Sequence, residues 1–244
     1  MKILTVTNQK GGVGKTTIAC HLALAAKEEG RRVLLVDLDT QGNASATLSG
    51  NPLIASERGG AQALFCLDRA LDPEPTSSGV DLLHGNQYLD EVDSTFAVRQ
   101  ARLRRGALRG LPYDLVVFDT PPAIGIRQTA PLLWCDLVVI PIEPNSYSVS
   151  GLKHTLDALT SARTANPGLR HRILINRYVR RSRRQAECIC DIARIAGGVL
   201  EPYLSLRVAV SEALDHGVPV WRWKHADTVL RDNWSALCRG LLDG

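Results

Sequence analysis

Residues 10–17 read Lys-Gly-Gly-Val-Gly-Lys-Thr-Thr, and no other segment restricts the fold of this chain as strongly. Glycines at 11, 12 and 14 let the backbone curl tightly and point successive N–H groups at one spot, as phosphate oxygens require. Residues 2–7 (Lys-Ile-Leu-Thr-Val-Thr) precede the loop and read as a strand. A helical stretch follows from Thr17 to Glu29, with a broad apolar face and Gly30 as its stop. The helix that opens here adds the positive end of its dipole to the anion site. Lys15 supplies a point charge for β- and γ-phosphates, and the Thr16 hydroxyl suits Mg²⁺. The spelling departs from the usual G-x-x-x-x-G-K-[ST], because position 9 is Gln. The match is to the variant K-G-G-x-G-K-T-T, which begins with Lys10.

The rest of the chain repeats one theme. Residues 33–36 (Val-Leu-Leu-Val) form an apolar run ending in Asp37, and residues 115–118 (Leu-Val-Val-Phe) form another ending in Asp119. Residues 137–140 and 172–175 give two more. Near-continuous apolar strands separated by helical stretches predict a mostly parallel β-sheet covered by helices on both faces, an α/β fold. The intervals leave room for right-handed crossovers. With 244 residues and 45% apolar content, one domain over 1–244 is expected. Residues 50–80 hold Asn51-Pro52, Gly59-Gly60 and Asp72-Pro73-Glu74-Pro75, and are expected to be loops around one short helix.

Other features narrow the class. No run approaches the roughly 18–20 apolar residues of a membrane-spanning helix. Met1-Lys2-Ile3-Leu4 starts the first strand at once, so neither a signal peptide nor an N-terminal DNA-reading extension is expected. Six scattered cysteines then predict free thiols in a reducing cytosol. Cys188 and Cys190 sit two apart on a helix, facing different ways, and predict no shared metal. The net charge is only +4, but Arg177, Arg180, Arg181, Arg183 and Arg184 crowd together, and Arg99, Arg102, Arg104, Arg105 and Arg109 form a second group. Such gatherings can neutralise nucleic-acid phosphates, although an arbitrary charge run is more often a solvated helix face.

With these motifs the chain resembles the ParA/MinD group of variant P-loop ATPases over nearly its whole length. The resemblance implies a P-loop NTPase fold with ATP and Mg²⁺ as cofactors. Gly11, Gly12, Val13, Gly14, Lys15, Thr16 and Thr17 would cradle the phosphates, and Lys10 would reach the nucleotide of a second subunit in an ATP-dependent homodimer. Val36-Asp37-Leu38-Asp39-Thr40-Gln41-Gly42-Asn43 is similar to the family's first switch, with Thr40 in place of the usual proline. Asp39 would orient the attacking water. Tyr113 to Pro122 is similar to the second switch, with Asp119 holding Mg²⁺ through water. Asn176 matches a position that contacts adenine. Val208-Ala209-Val210-Ser211-Glu212-Ala213 and His216-Gly217-Val218-Pro219-Val220 resemble a ParA segment rather than a MinD-like one. The carboxyl terminus, with one Arg and an acidic finish, makes a poor membrane anchor.

The implied function is partner-stimulated ATP hydrolysis that moves a cargo over non-specific DNA, in the cytoplasm on the nucleoid. The cargo would be a plasmid, a chromosome or a protein compartment such as a carboxysome. The implied partner is a small ParB-like or cargo-adaptor protein, and no membrane is expected. Arg177, Arg180, Arg181, Arg183 and Arg184 are the DNA candidates, with Arg207 and Arg222 as lesser ones. A MinD-like membrane-associated regulator, an iron–sulfur carrier and a small-molecule kinase or ligase are the alternatives.

Overall fold

The computed structural model describes residues 1–50, 59–92, 98–145, 147–197 and 199–244. Seven strands form one sheet in the order β3-β4-β2-β5-β1-β6-β7. They are β1 (Lys2–Val6), β2 (Val33–Asp37), β3 (Glu74–Pro75), β4 (Asp81–Leu83), β5 (Leu115–Asp119), β6 (Leu137–Ile142) and β7 (Arg170–Ile175). All pairings are parallel except β3 with β4. β2, β5 and β6 are buried along their whole length, which is why they read as unbroken apolar runs instead of alternating.

Successive residues of the strands feed two cores. Leu4, Val6, Leu115 and Val117 face one, and Ile3, Val116 and Phe118 the other. The first core is closed by α1 (Lys15–Glu28), α7 (Val208–Asp215) and α8 (Thr228–Asp243), around Trp234. The second packs around Trp134 with α3 (Val98–Arg109), α4 (Ile126–Trp134), α5 (Ser148–Arg163) and α6 (Arg183–Ala196). The short α2 (Asn43–Ser49) follows the turn after β2. Helices on both faces of a mostly parallel sheet match the expectation.

Several details differ from it. α1 begins at Lys15, two residues earlier than the apolar pattern suggested, because Gly14 in the left-handed region already ends the loop. The stretch expected to be loops around one short helix holds the 3-10 turn at Ala61–Phe65 but also β3, and β4 follows it at residue 81; residues 51–58 lie outside the described part. Strands of two and three residues are too short to show a period, and Pro75 fits only because β3 lies at the edge. Two members of the second arginine group, Arg104 and Arg109, are committed to contacts within the fold. Arg104 is buried and donates to the carbonyls of Ala63, Leu64, Cys66 and Arg69, so it organises the 61–69 turn. Arg109 donates to the Met1 carbonyl and pairs with Asp136. The side chains of Arg99 and Arg102 lie outside the described part.

The six cysteines are free. Cys188 donates its thiol to the Asn145 carbonyl, while Cys190 is exposed. Among the described residues no group of three or more His, Cys, Asp or Glu side chains could hold a metal ion by itself, and no helix is long and apolar enough to cross a membrane.

Candidate functional site

The sheet brings the carboxyl ends of β1, β2, β5, β6 and β7 to one edge, and the glycine-rich loop lies across it. Asn8 anchors the loop by donating to the Pro141 carbonyl at 2.8 Å and accepting from the Lys10 N–H at 2.9 Å. Gly12 and Gly14 then adopt positive φ (75° and 92°). A Cβ at Gly14 would run into the Asn176 side-chain amide. Gly14→Ala therefore combines strain with collision. We expect it to weaken nucleotide binding at least about tenfold, the equivalent of 1.4 kcal/mol, in a titration with a fluorescent ATP analogue.

Lys15 opens α1, is buried, and donates to the Lys10 carbonyl at 3.1 Å. Burial lowers its pKa, and the charges of Asp119 and Asp39 oppose that shift. The side chain of Lys10 is exposed; only its backbone holds the loop.

Asp37 and Asp119 end neighbouring strands in register with each other. Asp37 accepts from the Ser45 hydroxyl (2.7 Å), the Ser45 N–H (2.9 Å) and the Asp39 N–H (3.0 Å). Burial raises its pKa to about 6 despite these bonds. Asp119 is also fully buried, and neither carboxylate oxygen has a hydrogen-bond partner. The Thr16 hydroxyl approaches it without reaching hydrogen-bonding geometry. Burial and then the neighbouring Asp37 push the Asp119 pKa well up, while Lys15 pulls it down. A buried carboxylate without a partner, beside a threonine hydroxyl at the phosphate loop, fits a hard divalent cation that shares oxygen ligands with phosphate. Asp39 is half-buried at the rim and accepts from the Gln41 N–H at 3.0 Å.

Both raised carboxyls take up protons on folding, which fixes the sign of the pH response. Their contribution is most favourable below the ordinary carboxyl range near 4 and is lost as pH rises, for Asp37 up to about 6. Asp119→Asn removes part of that cost. The nucleotide-free variant should melt a few degrees above wild type at pH 8, at ~2–4 °C per kcal/mol for a chain of this size. It should also lose the extra stabilisation that Mg²⁺ gives to bound ATP. Calorimetry from pH 5 to pH 8 checks both, and a lower melting temperature at pH 8 contradicts the assignment.

Several contributors carried no recognisable motif. Gly85 leaves no room for a Cβ against Asp39 and Asp37, and its N–H donates to the Ser45 hydroxyl at 2.9 Å. His21 is buried, with Nδ1 2.7 Å from the Thr17 carbonyl, and accepts on Nε2 from the Val220 N–H at 3.1 Å. Burial lowers its pKa to about 4, so it is neutral and ties α1 to the 218–222 segment. The only hint in sequence was a glycine just past an apolar run for Gly85, and a polar residue inside an apolar helix for His21.

At the end of β7, Asn176 donates to the Val13 carbonyl at 2.8 Å. It lines a 100 Å³ cavity with Gly14, Thr17, Ser205, Ser211 and Trp234. Arg177 follows at φ 56°, its guanidinium 3.4 Å from the Gly12 carbonyl and 3.5 Å from Glu143. Arg180, Arg181, Arg183 and Arg184 are exposed, and Arg183 lies 3.4 Å from Glu187. Backbone bonds from Tyr178 to Leu204 (2.9 Å) and from Leu206 to Tyr178 (3.2 Å) bring exposed Arg207 alongside this group. The structure sets Arg222 apart: Glu28, at the far end of α1, holds it at 2.9 Å.

Comparison with known proteins agrees with this geometry. A family described as an AAA domain matches residues 1–171. Protein IncC of Escherichia coli is 33% identical over 234 residues, covering 92% of this chain and 64% of that protein. The chromosome-partitioning ATPase Soj of Thermus thermophilus is 37% identical over 173 residues, covering 68% of this chain and 65% of that protein. The chain thus spans just under two thirds of the length of these relatives. Cobyrinic acid a,c-diamide synthase of Mycobacterium smegmatis, solved with ADP and magnesium, overlays with a TM-score of 0.80 at 25% identity, covering 99% and 94% of the two chains. Apo McdA of Cyanothece overlays with a TM-score of 0.85 at 21% identity over the full length of both, which shows the shared fold. The chain belongs to the ParA/MinD family of P-loop ATPases.

Proposed function

We propose that this protein is a ParA-type ATPase that closes as a dimer around two ATP molecules, binds DNA without reading sequence in that state, and releases it on hydrolysis. The observation that carries this reading is the continuity of two surfaces. The residue that leaves β7 holds the phosphate loop through the Val13 carbonyl, and exposed arginines follow within eight positions.

Each residue has a defined task in this reading. The N–H groups of residues 11–16 and the Lys15 ammonium bind the phosphates. Thr16 and, through water, Asp119 hold Mg²⁺, which neutralises phosphate charge when bound. Asp39 orients the attacking water from the rim. Asn176 and its cavity receive the base side of the nucleotide. Lys10 crosses to the second subunit and meets charge developing on the transferred phosphoryl group. A small ParB-like or adaptor protein stimulates turnover, and repeated cycles over DNA segregate or position a cargo.

The two most exposed large apolar side chains among the described residues support the dimer. Ile124 (76% exposed) follows the Pro121-Pro122 segment, and Pro122 packs near Gly11. Tyr147 (81%) lines a 340 Å³ cavity with Asn8, Lys10 and Glu143. Tyr147 beside Lys10, and Ile124 two residues past Pro122, mark a face that a second copy would cover. Tyr147→Asp should remove the ATP-dependent dimer, leaving a monomer by light scattering, while nucleotide still binds.

DNA binding tests the whole reading. A non-specific duplex is titrated with no nucleotide, ADP, ATP and a slowly hydrolysed ATP analogue, at two salt concentrations. Binding confined to ATP and the analogue, and weakened by salt, is the expected result. Failure to bind DNA in every state rejects it.

A further inference from the structure

Three consecutive residues leave β7, and each is tied to a residue far away in the chain. Asn176 donates to the Val13 carbonyl at 2.8 Å. Arg177 reaches the Gly12 carbonyl at 3.4 Å and Glu143 at 3.5 Å. Tyr178 donates its N–H to Leu204 at 2.9 Å and accepts from the Leu206 N–H at 3.2 Å. The first two residues thus grip the phosphate loop. The third grips the strand-like segment that carries Arg207, and the chain then runs on to Arg180 and Arg181.

Arg177 has the only positive φ among the described non-glycine residues, at 56°. For an L-residue with a side chain that conformation is strained, so surrounding contacts must hold it. Backbone bonds from Asn176 to Ile142 (2.8 Å) and from Tyr178 to Leu204 (2.9 Å) fix its neighbours, and two side-chain contacts add to them: the Gly12 carbonyl and the Glu143 carboxylate. Both belong to the nucleotide face. Gly12 lies inside the phosphate loop, and Glu143 lines the cavity that contains Lys10 and Tyr147. The reversed backbone at 177 sets the direction in which the arginine segment leaves the sheet. Any turn of the Gly12 peptide onto phosphate, or any new cation beside Glu143, acts on the same side chain.

We infer that Arg177 is a positioning residue, not a DNA contact: with Glu143 as its counter-charge, it relays occupancy of the phosphate loop to the surface formed by 178–184 and 204–207. The relay rests on the DNA-binding reading for its purpose but not for its detection. Its guanidinium, 43% exposed, lies 3.4 Å from the Gly12 carbonyl and 3.5 Å from the Glu143 carboxylate, whereas Arg180 and Arg181 enter no ion pair among the described residues. Glu143 gives the discriminating variant, because a carboxylate cannot attract phosphate. If Arg177 were a DNA contact, Glu143→Gln would free it and strengthen DNA binding in every nucleotide state. If Arg177 is a relay, the same change weakens the nucleotide dependence itself.

Hydrogen exchange of the full chain, with and without a slowly hydrolysed ATP analogue and Mg²⁺, reads the relay directly. The proteins compared are wild type, Arg177→Ala, Arg177→Lys and Glu143→Gln. In wild type, the analogue should slow exchange in residues 11–16 and change it at least about threefold in 178–184 and 204–207. In Arg177→Ala and Glu143→Gln the loop should still be protected while the distant response is lost; Arg177→Lys should keep part of it. Protection of the loop without any distant response in wild type overturns the relay, as does an undiminished response in both variants. DNA titration separates the two readings. A wild type that shows the exchange response but binds no DNA rejects the DNA reading and retains the relay. A fall in DNA affinity by one common factor in all nucleotide states of Arg177→Ala makes Arg177 a phosphate contact and overturns the relay.

Discussion

Lys10→Ala should lower ATP turnover by roughly 10³-fold or more, the scale on which a positive charge supplied in trans contributes to phosphoryl transfer, with little change in ATP affinity. The two effects separate because Lys10 holds its own loop only through the backbone. Its N–H is bound by Asn8 and its carbonyl by Lys15, both of which survive the substitution. Its side chain is exposed and takes part in no ion pair among the described residues. Asp39→Ala should be equally inactive for a different reason, the loss of the carboxylate beside the attacking water. A mixture of the two variants is therefore diagnostic. In the proposed dimer a complete site takes Asp39 from one subunit and Lys10 from the other. In an equal mixture with random pairing, half the dimers are mixed and one of their two sites is complete. About a quarter of wild-type turnover should return. No recovery in phosphate release, with dimers confirmed by light scattering, would place Lys10 in its own subunit's site.

The parts of this site that a reader of the sequence can find are those carried by contiguous residues. The phosphate loop is one segment, and its flanking strand and helix follow from period and composition. Asp37 and Asp119 are visible because each closes an apolar run, and their pairing follows once β2 and β5 are neighbours. What stays hidden depends on groups far apart in the chain. Gly85 matters because β4 ends beside β2, yet β4 has three residues and shows no pattern. His21 looks like a stray polar residue until Val220, 199 positions away, donates to it. Arg104 looks like surface charge because nothing local shows that the 61–69 turn needs four carbonyls satisfied. Arg177 looks like one arginine among five, and only its left-handed backbone and its bond to Gly12 distinguish it.

Replacing Arg180, Arg181, Arg183 and Arg184 together by Ala should abolish DNA binding while ATP binding survives. One observation and the proposed dimer make this the largest expected effect outside the catalytic centre. These side chains are exposed on one short segment, so they can reach phosphates without desolvation cost. The proposed dimer would present the set twice, so eight charges would leave the complex at once. At ~0.9 in log–log slope per phosphate contact, the salt dependence of binding should flatten by up to about 7. The contributions will not be equal. Arg183 shares Glu187 one helical turn away, which partly neutralises it, whereas Arg180 and Arg181 precede the helix. Arg180→Ala with Arg181→Ala should therefore weaken binding more than Arg183→Ala with Arg184→Ala. Arg222→Ala serves as the control: Glu28 holds its guanidinium at the distant end of α1, and DNA affinity should not change. Filter binding over a salt series measures slope and affinity together. Unchanged affinity in the fourfold variant, with ATP binding intact, would remove this surface from the DNA interface and turn attention to other exposed basic groups.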